Sequence, residues 1–158
     1  MSKYDILIGI DVGKNGGIAI TTGKILLTTY KTPDTIQGHF DLMEVILMGL
    51  EGKTVKVVVE KVTGRHGDSA HSAFAFGFNT CKIHCALTVA GLSFELAHPK
   101  TWMKVIGMAR IKGEDNTKWK NRLKDRAKQL YPSYAKDVTL WNADAILIAE
   151  YAYKKYNG

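Results

Sequence analysis

Three acids stand where an acid is costly. Asp11 closes the apolar run YDILIGIDV, Glu60 closes VKVVVE, and Asp144 opens the apolar segment NADAILIAEY. A carboxylate at the end of a buried strand or in the first turn of an apolar helix loses hydration unless something pairs with it. Hard divalent cations are partners of the right kind: magnesium takes oxygen ligands in an octahedral shell and keeps several waters, so three or four carboxylates can hold two ions. Two ions about 3.5 to 4 Å apart activate a water and stabilise the leaving oxygen of an in-line displacement at phosphorus. Each acid also has a structural reading. Asp11 before Gly13 can form a turn, Glu60 can be solvated at a strand end, and Asp144 can be favoured by a helix dipole. Their joint placement favours the metal site.

The elements that must position these acids follow from hydropathy. Residues 4–12 form a nearly unbroken apolar, β-branched run ending at Gly13, which predicts a strand buried on both faces. After Lys14-Asn15-Gly16-Gly17, residues 18–22 and 25–30 predict two more strands joined by a hairpin at 22–24. Pro33-Asp34 opens a helix with Ile36, Phe40, Met43, Leu47 and Leu50 at three-to-four spacing, closed near Gly52. Residues 55–60 predict a fourth strand and 63–68 a polar loop. The Ala-rich run 69–90 predicts a long, largely buried helix with room for a subunit contact along one edge. A short strand at 93–97 is stopped by His98-Pro99. A basic amphipathic helix covers 118–130, and a last helix covers 143–156 with Asn142 as its cap.

The order βββαβαβαα predicts one α/β domain over residues 1–158, with a mixed five-stranded sheet flanked by helices: three antiparallel strands, then parallel additions. The first and fourth strands are natural parallel neighbours. That pairing would bring Asp11 and Glu60 to the carboxyl edge, where open α/β sheets place their ligands.

Charge supplies the substrate class. The 158 residues carry 22 Lys and Arg against 15 Asp and Glu, a net +7 with a pI of 9.4, which points to a polyanionic partner. A composition 46% hydrophobic and 9% aromatic excludes a disordered tail. Residues 99–128 hold ten cations and three acids, so this stretch alone accounts for the whole excess. Lys100, Lys104, Arg110, Lys112, Lys118 and Lys120 are its candidate nucleic-acid contacts; Trp102 and Trp119 either stack on bases and sugars or pack in the core. Cys81 and Cys85 lie four apart beside His84. A structural zinc site needs two clustered pairs and this chain has one, so reduced residues of a helical core are expected. No leader and no run of 18 apolar residues is visible, so a soluble, cytoplasmic protein without membrane contact is expected.

IGIDVGKNGG, VVVEKV and NADAILIAEY, in this order and spacing, resemble the three acidic motifs of the RuvC family of Holliday junction resolvases, which have an RNase H-like fold. GDSAHSAFAFGFNT is similar to the family's helix after the second acid, while HPKTWMKVIG and the LIAEY ending look most like its phage-encoded branch. The resemblance implies that Asp11, Glu60 and Asp144 are catalytic, metal-binding carboxylates. It further implies a homodimer that nicks two opposed strands of a four-way junction in branched DNA, using two Mg²⁺ or Mn²⁺ ions per site, in a host cytoplasm if phage-encoded. Two positions depart from the pattern. Trp141 stands where the family has an acid or His, leaving Asp137 or Asn142 as candidate fourth ligands. Thr63 stands where the cellular members have an aromatic, so a strict cleavage sequence is not expected. The competing readings are a YqgF-like or RNase H-like nuclease acting on RNA or hybrids, a non-catalytic module binding branched nucleic acid, and a sugar-kinase-like nucleotide binder. The last would need a second domain.

Overall fold

A computed structural model describes residues 2–64 and 67–158. Its strands are β1 (Ile6–Ile10), β2 (Gly17–Thr21), β3 (Leu26–Lys31), β4 (Val55–Glu60) and β5 (Phe94–Ala97). Its α-helices are α1 (Ile36–Met48), α2 (Ala70–Val89), α3 (Pro99–Val105), α4 (Asn116–Leu130) and α5 (Ala143–Tyr156), with a 3-10 turn at Pro132–Asp137. The five strands form one sheet in the order β3-β2-β1-β4-β5. β1–β2 and β2–β3 are antiparallel, whereas β4 runs parallel to β1 and β5 parallel to β4. This is the mixed sheet that the hydropathy order predicts.

The unbroken apolar character of β1 now has its reason. Ile6, Ile8 and Ile10 join Val57, Val59, Met43, Ile83 and Leu87 in a core beneath α1 and α2. Leu7 and Val58 face the other way, into a core with α3, α4 and α5. A central strand covered by helices on both faces has no polar side to show. Gly9 sets the depth of the second layer. A Cβ there would stand inside van der Waals contact of the α5 backbone, against Ala149 N and Ala145 O.

Several expectations need correction. Helix α3 is absent from the hydropathy reading; His98-Pro99 ends β5 as predicted, but Pro99 also opens a helix, because its fixed φ suits the first helical position. Helix α4 starts at Asn116 rather than 118, capped by the Asp115 carboxylate accepting from Lys118 N. Asn142 occupies the cap position of α5 without capping it: its Oδ1 accepts from Thr139 N, and its Nδ2 donates to Thr29 and Asp137 oxygens. Helix α2 is not largely buried. Only Lys82, Ile83, Ala86 and Leu87 are fully buried, while Phe74 is 75% and Val89 72% exposed. Cys81 and Cys85 are free thiols on that open side, not core residues. The polar loop expected at 63–68 includes residues 65 and 66, which lie outside the described residues.

A second buried acid holds the α4–α5 layer. Glu150 accepts from the Tyr131 hydroxyl at 3.0 Å, and Tyr131 lies 3.4 Å from Thr21 Oγ1. Burial lifts the Glu150 carboxyl above the ordinary glutamate value, although the Tyr131 hydrogen bond and the charges of Lys154 and Arg126 oppose this. A carboxyl raised on folding contributes most below its unfolded pKa, and that contribution is lost as pH rises through the folded value. Glu150→Gln keeps an acceptor for Tyr131 and removes the buried charge. Its melting temperature is expected to exceed the parent's by a few degrees at pH 7 and to match it near pH 4, read by thermal unfolding at both pH values. A lower melting temperature at pH 7 would refute this.

Candidate active site at the carboxyl edge of the sheet

Register decides where the first two acids meet. Ile10 of β1 pairs with Val59 of β4, so Asp11 and Glu60 are the next partners across the parallel ladder, on one edge and one face. Asp144 comes from the opposite direction, on the first turn of α5, which crosses β1 at Gly9. The bare Cα of Gly9 is what lets that turn approach Asp11.

The loop after Asp11 is pinned rather than loose. Asp11 N donates to Gly17 O at 2.9 Å, Gly16 N to Gly13 O, and the Thr32 hydroxyl lies 3.0 Å from Gly16 O. A Cβ on Gly16 would collide with the Asp11 carbonyl, so this turn admits only glycine. The loop floors an open cleft of about 640 Å³, lined by Asp11, Gly13, Asn15, Gly16, Lys120, Thr139, Leu140 and Trp141. Glu60 lines an adjoining hollow of about 280 Å³ with Thr63, Asp68, Phe76, His98 and Lys100.

The electrostatics identify a cluster. Burial first, then the Asp144 and Glu60 carboxylates, hold the Asp11 carboxyl well above the usual aspartate range, with Lys120 pulling the other way. Lys120 donates to Asp144 Oδ2 in a close ion pair. Burial works against its charge, but Asp144, Asp11 and Glu60 outweigh this and raise its pKa. Asp144 Oδ1 is buried with no hydrogen-bond partner. The Trp102 indole donates to Glu60 Oε2 at 2.8 Å.

Among the described residues, no three His, Cys, Asp or Glu side chains stand close enough to form a ready-made metal site. At two of the acids one oxygen is engaged by another group: Lys120 donates to Asp144 and Trp102 to Glu60. The donor set still fits a hard cation. Asp144 and Glu60 both act on the Asp11 carboxyl, the Lys120 ammonium is bound to Asp144, and one buried oxygen of Asp144 has no hydrogen-bond partner.

The other candidates separate. Trp141 lines the cleft. Asp137 is exposed, and Asn142 is buried with its amide already engaged. Trp102 and Trp119 are core residues rather than stacking surfaces. Lys100, Lys104 and Arg110 rim an apolar hollow with Met103 and Met108. Lys112 and Lys118 are exposed. Lys120 is the residue whose place the charge run does not reveal. Its signal is periodicity: it flanks the buried α4 stripe of Trp119, Leu123 and Ala127, where a cation must be partly covered.

No protein-family model matches the sequence, and no curated protein matches it. Solved structures do. The chain superposes on Thermus thermophilus RuvC in complex with a Holliday junction substrate with a TM-score of 0.70 and 15% identity, covering 94% of this chain and 92% of that one. A second Thermus thermophilus RuvC structure gives 0.56 and 17%, covering 96% and 98%. The fold is therefore that of RuvC, of the RNase H-like kind, along nearly the whole chain.

Proposed function

We propose that this chain is a single-domain, structure-selective DNA endonuclease that resolves four-way junctions by metal-dependent hydrolysis. The observation that carries this reading is the placement of Asp11 and Glu60 at the ends of paired parallel strands, with Asp144 on the first turn of the helix that crosses β1 at Gly9, at the carboxyl edge of a fold shared with a RuvC in complex with a Holliday junction substrate. The three carboxylates would hold Mg²⁺ or Mn²⁺, which when bound supplies Lewis acidity at the phosphate and an activated water. Lys120 neutralises Asp144 in the absence of that charge. Once displaced from Asp144, its ammonium lies beside the cleft, where it can hold a phosphate oxygen and balance charge that develops during cleavage. The pinned turn at 13–16 keeps the Asp11 end of the cleft in place while DNA is bound. Trp102 orients Glu60.

Pairing of two sites for opposed nicks requires two copies, and the open apolar side of α2 supports a homodimer there. Sedimentation of the full chain with and without a junction reads this directly; a monomer in both removes it.

The test of the activity is a gel assay offering a synthetic four-way junction, linear duplex, RNA–DNA hybrid and structured RNA, each with Mg²⁺, Mn²⁺ or EDTA. Junction nicking that needs the metal is expected. Preferential cutting of hybrid or RNA would move the substrate to RNA, and metal-independent binding without nicking would make the chain a binding module. The cations at the hollow predict a separable effect. Neutralising Lys100, Lys104 and Arg110 together should weaken junction and duplex binding alike and reduce the slope of log K against log salt by about 0.9 for each phosphate no longer neutralised. An unchanged slope would place the backbone-binding cations elsewhere.

A further inference from the structure

On the open side of α2, Cys81 and Cys85 bring their sulfurs to 3.6 Å, and both thiols are free. Two thiolates held about 2.3 Å from a tetrahedral zinc ion stand about 3.8 Å apart, along one edge of the tetrahedron. The i, i+4 spacing on a helix therefore presets half a thiolate zinc site without any movement of the backbone. One chain does not complete it: among the described residues no third His, Cys, Asp or Glu joins the pair. His84, adjacent in sequence, leans on Phe94 with ring centroids 4.8 Å apart, and its Nε2 is buried.

The missing half is suggested by where the pair lies. Cys81 and Cys85 sit midway along an exposed, uncharged stripe that runs from Phe74 and Phe78 to Val89. A stripe centred on the sulfurs is self-complementary about a two-fold axis through its middle: the aromatic end of one helix meets the Val89 end of the other, and the two thiol pairs face each other at the axis. The stripe itself carries no Lys or Arg, and Lys82, whose ammonium lies 5.0 Å from the Phe78 ring, is buried and donates to Asp34 O, so two chains of net +7 can approach along the stripe without opposing exposed like charges. We propose that Cys81 and Cys85 form a half-site for a tetrahedral, thiophilic divalent cation, zinc above all, completed by the same residues of a second copy. Four thiols bind one ion as thiolates and release four protons, with no oxidation or reduction. Thiolates select zinc where carboxylates and water suit magnesium, so this ion would be distinct from those at the sheet edge. The inference shares the α2 contact with the dimer proposed above and depends on neither DNA nor the acids.

The test uses the full, reduced chain in excess Mg²⁺, titrated with cobalt(II) as a coloured stand-in for zinc. Expected are the absorption bands of tetrahedral, thiolate-bound cobalt, saturating at one ion per two chains and bleached by zinc, with a dimer by sedimentation in the zinc-loaded sample. Cys81→Ser and Cys85→Ser should each abolish the bands. Both side chains are exposed, so thermal unfolding of the metal-free variants should match the parent. Asp144→Asn should give the parental titration, which keeps this result independent of whether the chain cuts junctions. Absence of thiolate bands, saturation at one ion per chain in a monomer, or bands surviving in both serine variants would overturn the proposal.

Discussion

Asp144→Asn is expected to lower junction cleavage by about 10³-fold or more while leaving junction affinity within a few-fold of the parent. Losses of that order follow when a group that acts as part of a unit is removed. The asparagine keeps the shape of a side chain that is only 5% exposed, so the fold has no reason to fail. What disappears is the charge that draws Lys120 and, in the proposed reaction, a divalent cation. Backbone phosphates would be held by other cations, so binding should persist. Asp11→Asn and Glu60→Gln should behave alike, and single-turnover cleavage beside a binding titration separates the two quantities. Substantial cleavage by all three variants would place the reaction at another site. Cleavage lost together with affinity would instead mean that the acids shape the DNA surface.

Gly9→Ala should have the largest effect on stability, although it adds one carbon. Its Cβ would press on backbone atoms of α5, Ala149 N and Ala145 O, which cannot rotate away as a side-chain tip can. Overpacking a close-packed core costs about 1 to 3 kcal/mol, occasionally more, and a clash between rigid backbone segments belongs at the upper end. At this chain length, about 3 kcal/mol corresponds to a fall in melting temperature of roughly 10 °C. Any protein that still folds must do so with α5 pushed outward from β1, which carries Asp144 away from Asp11. Residual activity should therefore fall further than the folded fraction. Calorimetry and a cleavage assay below the midpoint read both effects, and a parental melting temperature would show that α5 can yield.

The strand-end acids are legible in the sequence because burial leaves few reasons for a carboxylate. β4 and α5 are readable to the residue, since VKVVVE is bounded by polar loops and the apolar run of α5 is long. Other features are hidden for physical reasons. Pro99 both stops a strand and starts a helix, and only the second reading yields α3. An Ala- and Phe-rich helix reads as buried whether its apolar faces meet its own core or open solvent, so α2 and its cysteines read as interior. The pairing of Lys120 with Asp144 spans 24 residues of sequence and depends on α4 lying beside α5. Periodicity can mark Lys120 as half-covered but cannot name its partner. Asn142 has the residue type of a helix cap, yet its Oδ1 accepts from the backbone N–H and hydroxyl of Thr139 instead.

The hydrogen bond from Trp102 to Glu60 has an optical consequence. Indole emission responds to charge near the ring, and this indole is fully buried, with its N–H directed at one of the three acids. A cation bound at Glu60 would change the field along that N–H while the solvent around the ring stays the same. The fluorescence of the native chain should therefore shift when a divalent cation is added, with no label attached and no DNA present, and Trp102→Phe should remove that shift.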